Sequence, residues 1–157
     1  MLRTLWLLRH GDAVAHGSAP DFDRRLTARG ERQSLAAGRA LARLGVVFEH
    51  AFTSPRIRAL DTARIACGEL GIEPIVNQAL SGGFDEDDAA ELIAATSESG
   101  ALLLVGHEPD LSILVAALTA ARVEVKKGGL VAIRVGSGRA ELALLLRPRE
   151  IELVAAL

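Results

Sequence analysis

The chain has 157 residues, the size of one ordinary domain, and it is 50% hydrophobic and 24% charged, a globular composition that excludes disorder. A net charge of -2 and a pI near 6.1 exclude a general basic field for nucleic acid or an anionic membrane surface, so any positive charge that matters is local. The single cysteine, Cys67, excludes an intrachain disulfide framework, and no window holds the roughly 18 apolar residues of a membrane span.

In chain order, residues 3–9 form a short apolar run that predicts a buried strand. The apolar part of the N-terminus is too short for a signal peptide and ends in Arg9-His10 rather than a small-residue cleavage site, so the expected location is the cytoplasm. Residues 12–26, rich in Asp, Gly and Pro, predict a loop. Thr27 is the expected N-cap of a helix to about Leu44, with Gly45 as its stop. Residues 50–53 predict a strand ending at Ser54-Pro55, followed by a helix from about Arg56 to Leu70 that stops at Gly71. A short strand over 74–76 and a loop at Ser81-Gly82-Gly83 follow. Asp85 to Asp88 open a helix to about Ala95, where the helix dipole favours their charge.

Residues 101–105 are a second buried strand, ended by Gly106-His107, and Pro109 suits the first turn of a helix reaching about Ala121. Strands near 130–135 and 140–146 are joined by Gly136-Ser137-Gly138, a hairpin turn, and the tail from Pro148 has no definite pattern. Alternating strands and helices predict an α/β fold with a mostly parallel sheet and an antiparallel edge hairpin, one domain over residues 1–157. In such sheets ligands bind at the carboxyl ends of the strands, where His10 and His107 fall.

Three segments carry chemistry. In Arg9-His10-Gly11 a strand breaks into a nucleophile-capable imidazole beside a guanidinium fork, with a glycine that lets a ligand approach the backbone. In Thr53-Ser54-Pro55-Arg56-Ile57-Arg58-Ala59 two arginines sit at a helix start, opposing the dipole, which makes sense where an anion binds. In Gly106-His107-Glu108-Pro109-Asp110 a strand delivers an imidazole just before a helix. Each segment taken alone also fits a structural histidine or solvated arginines.

Together, Arg-His-Gly after the first strand, Ser-Pro-x-x-Arg-Ala-x-x-Thr-Ala over residues 54–63 and the later Gly-His resemble the histidine phosphatase superfamily, the phosphoglycerate mutase-like family. The stretches Asp23-Arg24-Arg25-Leu26-Thr27-x-x-Gly30, Gly106 to Leu111 and Lys126-Lys127-Gly128-Gly129 are similar to its SixA-type phosphohistidine phosphatases. The resemblance implies a three-layer sandwich with helices on both faces of the sheet. It implies a metal-independent, cofactor-free phosphatase that is phosphorylated on His10, with Arg9, Arg58 and His107 as the other catalytic residues. Arg9, Gly11, Arg58 and His107 would bind the phosphoryl group; Arg58 takes this role rather than Arg56 because it directly precedes Ala59. The implied partner is a phosphorylated substrate, foremost a phosphohistidine-carrying protein. A small-molecule phosphomonoesterase of the same superfamily and an inactive phosphate-binding module are the alternatives.

Asp85 and Glu86 are either the acid for the leaving group or helix-start charges, and Lys126 and Lys127 either touch substrate or form a solvated turn. His16 and His50 carry no motif and are expected in loop and surface positions; Asp12 and Ser54 are expected to support the pocket, and Cys67 to be a buried inert thiol. A metal hydrolase reading lacks a His-Glu-x-x-His pair or a Cys/His cluster.

Overall fold

The computed structural model describes residues 2–157. Strand β1 (Arg3–Arg9) is central because both of its faces are apolar: Leu5 and Leu7 point one way, Trp6 and Leu8 the other, and all four are buried. It pairs in parallel with β4 (Ala101–Gly106) and antiparallel with β5 (Leu130–Val135). With β2 (Phe48–Thr53), β3 (Ile75–Val76) and β6 (Glu141–Leu146) the six strands run in the order β3-β2-β4-β1-β5-β6. Strands β1 to β4 are parallel, and β5 and β6 form the expected antiparallel edge.

Helices α1 (Ala28–Arg43), α2 (Ile57–Leu70) and α5 (Pro148–Ala155) cover the Trp6 and Leu8 face, burying Ala37, Leu41, Ala63, Ala66, Cys67 and Ile151. Helices α3 (Glu86–Ala94) and α4 (Asp110–Thr119) cover the Leu5 and Leu7 face through Ala89, Leu111, Leu114 and Val115. With so few aromatic residues the core fills by close approach of alanine-lined helices. Gly38 of α1 makes this possible, since a Cβ there would stand 2.5 Å from the Ala66 carbonyl oxygen of α2.

The caps follow the sequence signals. Thr27 Oγ1 accepts the Gly30 N–H at 3.1 Å, Gly71 takes the left-handed conformation at φ 67°, and Asp85 forms a reciprocal capping box with Asp88. Three readings differ. β2 begins at Phe48, two residues before the expected start, because Phe48 is buried against Trp6 in an edge-on aromatic pair. The loop over 12–26 contains a 3-10 turn, Asp21–Asp23. The indefinite tail is α5, fixed by Ile151 buried in the core and Val154 packed against it.

Register places the site. At the end of the β1–β4 ladder Arg9 pairs with Gly106, so the residues that follow, His10 and His107, emerge side by side. At the end of the β2–β4 ladder Thr53 pairs with Val105, which sets Ser54 on the other side of His107. Three neighbouring parallel strands thus discharge Ser54, His107 and His10 along one edge.

Candidate active site

The His10 and His107 rings lie with centroids 5.2 Å apart, both side chains buried. They line a cavity of about 190 Å³ together with Arg9, Arg58, Glu108 and Lys127, and with His16 and Arg24 of the preceding loop. His10 is held by its backbone N–H to the Gly106 carbonyl and by its own carbonyl, which accepts the Gly128 N–H at 3.0 Å. His10 Nδ1 lies 2.7 Å from the Gly11 carbonyl oxygen. A carbonyl only accepts, so Nδ1 carries the proton and Nε2 presents a lone pair. Burial, with smaller contributions from His107, Arg58 and Arg9, pushes the His10 pKa down to about 3 against the opposing pull of the Gly11 bond. The ring is therefore neutral at pH 7 and can act as a nucleophile.

Four buried side-chain polar atoms lack a partner among the described residues. One, Glu150 Oε2, belongs to α5; the others are Arg9 Nε, Arg58 Nε and His107 Nδ1, all on residues that line the cavity. Unpaired buried donors cost free energy unless a ligand satisfies them. The two Nε–H groups are donors, and His107 Nδ1 is a third in the tautomer whose Nε2 accepts from Ser54; three such donors and two guanidinium charges would suit the oxygens and charge of a dianionic phosphoryl group. Arg9 is fixed by Nη1 donating to the Val125 carbonyl at 3.0 Å, and Arg58 by Nη1 donating to the Asp21 carbonyl at 2.8 Å. Burial pushes both arginine pKa values below their ordinary value, yet both remain charged at neutral pH.

His107 Nε2 lies 2.8 Å from Ser54 Oγ, and burial followed by Arg58 and Arg56 pushes the His107 pKa down to about 4. Arg56, by contrast, is turned to the loops: Nε donates to the Ser81 carbonyl at 2.8 Å and Nη1 pairs with Asp21. Of the two arginines, Arg58 is the one in the pocket.

Gly11, expected from the sequence to bind the phosphoryl group, has its N–H engaged within the protein. Its N–H donates to Thr62 Oγ1 at 3.0 Å, and a Cβ on it would stand 2.5 Å from the Gly30 carbonyl oxygen. The glycine is needed because α1 packs against it, and it serves His10 through its carbonyl. Asp85 spends its carboxylate on the Asp87 and Asp88 N–H groups at the start of α3, Glu86 is exposed, and neither lines the cavity. The carboxylate that does is Glu108, whose oxygens accept the Ser112 N–H at 2.8 Å and the Val125 N–H at 3.4 Å.

Lys127 lines the cavity and reaches Asp12 at 3.4 Å, while Lys126 pairs with Glu124. Cys67 is buried and its thiol is pushed up to about 11 by burial, so it stays protonated and inert. His50 sits on β2 beside Glu49. Among the described residues no group of three or more His, Cys, Asp or Glu is placed to hold a metal ion, and no helix is long and apolar enough to cross a membrane.

The residue that sequence reasoning missed is Asp21. It accepts from Arg24 Nε at 3.0 Å, pairs with Arg56, takes Arg58 Nη2 at 3.3 Å, and lies 3.7 Å from His16 Nδ1. Desolvation would raise its pKa, but Arg24, Arg58 and Arg56 together hold it below the usual carboxylate range. It locks the 12–26 loop over the pocket and aims Arg58.

Known proteins share this chain's fold and sequence pattern. The family profile of the histidine phosphatase superfamily (branch 1) matches residues 5–82. An uncharacterised protein of Picosynechococcus sp. is 36% identical over 159 residues, covering 92% of this chain and 96% of that protein. The structure of the protein histidine phosphatase SixA complexed with tungstate superposes with a TM-score of 0.81 at 24% identity, over 94% of this chain and 99% of that one. A candidate phosphohistidine phosphatase SixA from Nakamurella multipartitia superposes with a TM-score of 0.73 at 26% identity, over 94% of this chain and 97% of that one. The chain belongs to the histidine phosphatase superfamily, branch 1.

Proposed function

We propose that this phosphatase removes the phosphoryl group from phosphohistidine in proteins, through a phosphorylated His10. The observation that carries the reading is the set of unpartnered donors Arg9 Nε, Arg58 Nε and His107 Nδ1 around a neutral His10 whose Nε2 is free to attack. In the first step Nε2 forms a bond to phosphorus as the bond from phosphorus to the substrate imidazole breaks. The departing imidazole leaves neutral, because its other nitrogen takes a proton beforehand. In the second step water attacks the phosphoryl group on His10, the P–N bond breaks, and inorganic phosphate departs carrying the water's oxygen. Arg9, Arg58 and His107 hold the three equatorial oxygens in both steps, in a preorganised and partly dry site.

Two observations favour a nitrogen leaving group over an alkoxide. The carboxylate at the pocket, Glu108, is engaged by two backbone N–H groups, and Asp85 and Glu86 stand away from the cavity. The likeness to SixA adds to this. A small-molecule phosphomonoesterase is the second reading, favoured by the presence of Glu108 in the cavity wall.

The test is a panel containing a phosphohistidine protein, phosphoramidate, p-nitrophenyl phosphate and alkyl phosphates, run with and without chelator, with rapid-quench trapping of labelled enzyme. Expected are turnover of the phosphohistidine protein in excess chelator and an acid-labile, alkali-stable label that His10→Ala abolishes. Label persisting in His10→Ala, or turnover confined to alkyl esters, overturns the reading.

A further inference from the structure

A second cavity, of about 450 Å³, adjoins the phosphoryl pocket and shares Arg9 and Lys127 with it. Its wall carries Arg9, Arg29, Lys126, Lys127, Arg147 and Arg149, six of the 18 basic side chains of a chain whose net charge is -2. Asp12 is the carboxylate on that wall, and it is spent on Thr27 Oγ1 at 2.8 Å and on Lys127. Glu124 pairs with Lys126 and Glu150 with Arg147, so the carboxylates nearby leave a net positive wall. Arg29 and Arg149 form no ion pair among the described residues.

Arg29 lies in the first turn of α1, and Arg147 and Arg149 flank Pro148 at the start of α5. Basic side chains at helix N-termini oppose the dipole and cost stability. Here two helices, far apart in sequence and packed together, bring this unfavourable arrangement to one cavity. An anion seated between them relieves it.

We propose that this cavity binds an acidic polypeptide segment next to the phosphorylated histidine of the substrate protein, which rests on the phosphohistidine reading above. Continuity with the phosphoryl pocket through Arg9 and Lys127 means that whatever enters is attached to, or lies beside, the group being dephosphorylated. A cavity of this size takes a few carboxylate side chains, and the six basic side chains on its wall offer them ion pairs while the stems of those side chains supply apolar contact. Such pairs act mainly on encounter and register, so they set KM and salt dependence.

The experiment compares wild type with the double variant Arg29→Glu/Arg149→Glu, both positions exposed and outside the phosphoryl pocket. Substrates are phosphohistidine peptides with Asp and Glu or with Lys flanks, and phosphoramidate. Wild type is expected to favour the acidic peptide by about five- to tenfold in kcat/KM at low salt, a preference lost in about 0.5 M salt. The double variant is expected to lose the preference while its phosphoramidate kcat/KM stays within about twofold, as remote surface charges permit. A wild type without preference, or a variant that keeps it, overturns the proposal.

Inhibition of p-nitrophenyl phosphate hydrolysis by poly-L-glutamate decides the matter independently of whether phosphohistidine is the substrate. Inhibition of wild type but not of the variant supports the site even if neither peptide is turned over, a result that would sink the phosphohistidine reading alone. Equal or absent inhibition overturns it, as does charge-dependent inhibition by inorganic pyrophosphate with none by poly-L-glutamate, which would assign the cavity to small polyphosphates.

Discussion

His107 Nε2 lies 2.8 Å from Ser54 Oγ, and the same Oγ accepts the Arg56 backbone N–H at 3.2 Å. With one lone pair taken by that N–H, the serine's own proton is free to point at Nε2. The proton of a neutral His107 then sits on Nδ1, the unpartnered atom of the cavity. In that arrangement Ser54 would act as a positioning residue that sets which His107 tautomer faces the cavity.

Ser54→Ala removes that bias. The expected result is a loss of about tenfold or more in kcat and weaker binding of tungstate or vanadate, the scale of removing part of one oxyanion donor. Ser54→Thr restores most of both. A merely structural serine would lower Tm without shifting the pH dependence of oxyanion binding, so an unchanged pH profile in Ser54→Ala would overturn the assignment.

The two arginines of the second motif separate by what they touch. Arg58→Ala is expected to cost about a hundredfold or more in kcat, since it removes the unpartnered guanidinium N–H of the cavity to which the proposed function gives a phosphoryl oxygen. Arg56→Ala loosens Asp21 and the Ser81 loop, so it is expected to raise KM and lower Tm with a smaller kcat effect. Steady-state kinetics on phosphoramidate check the ranking, and the reverse order would place the motif two residues out of register.

Why was so much of this site legible in the sequence? Several of its central groups sit at a local break from strand to polar turn, at Leu8 to Arg9-His10, Thr53 to Ser54-Pro55 and Val105 to Gly106-His107, and Arg58 follows in the first turn of the helix after the second break. The resemblance then weighted three weak signals together. What stayed hidden depends on residues distant in the chain. Asp21 lies in a polar loop and acquires meaning only when Arg24, Arg56 and Arg58 converge on it. Gly11 reads as a ligand-facing glycine until α1 folds against it and Gly30 fills the space. Helix α5 has eight residues and too little pattern to announce itself, and its core contact, Ile151, depends on α1 being in place. The basic cavity joins the starts of α1 and α5, more than a hundred residues apart, and so leaves no local trace in a chain of net negative charge.

The histidines also fix the response to pH. An imidazole ordinarily titrates near 6.5, but His10 is pushed down to about 3 and His107 to about 4. His10 therefore stays neutral across mildly acidic pH, and if it is the nucleophile proposed above, the acid limb of kcat/KM that it causes is expected below pH 4, well under 6.5. Stability falls in the same direction but over a wider window. Between about pH 3 and 6.5 the unfolded chain binds protons that the folded chain does not, so stability rises with pH through that window and is lost as pH falls. Urea midpoints at pH 7 and 4.5 are expected to fall further in wild type than in His10→Gln/His107→Gln. Equal falls in both would show that other groups carry the effect.

The leaving group supplies the last prediction. Expelling an alkoxide needs a proton in the transition state, help worth about a hundredfold to ten-thousandfold. Expelling imidazole from phosphohistidine does not, since its nitrogen is protonated beforehand. Asp85 and Glu86 lie outside the cavity, so Asp85→Asn and Glu86→Gln are expected to leave kcat/KM for phosphohistidine nearly unchanged. Asp85→Ala is expected to show itself elsewhere, as a loss of about 1 kcal/mol in stability from the broken cap of α3. Glu108 is the carboxylate with access, and Glu108→Gln is the informative variant. Its carboxylate ties Ser112 to Val125, and the amide keeps an acceptor for one of those bonds, so the loop is expected to hold. If the site lacks a dedicated acid, Glu108→Gln lowers kcat/KM for phosphohistidine, p-nitrophenyl phosphate and alkyl phosphates by similar small factors, with alkyl phosphates poor substrates throughout. A loss confined to alkyl esters and spared for p-nitrophenyl phosphate would make Glu108 the proton donor and move the enzyme to the phosphomonoesterases.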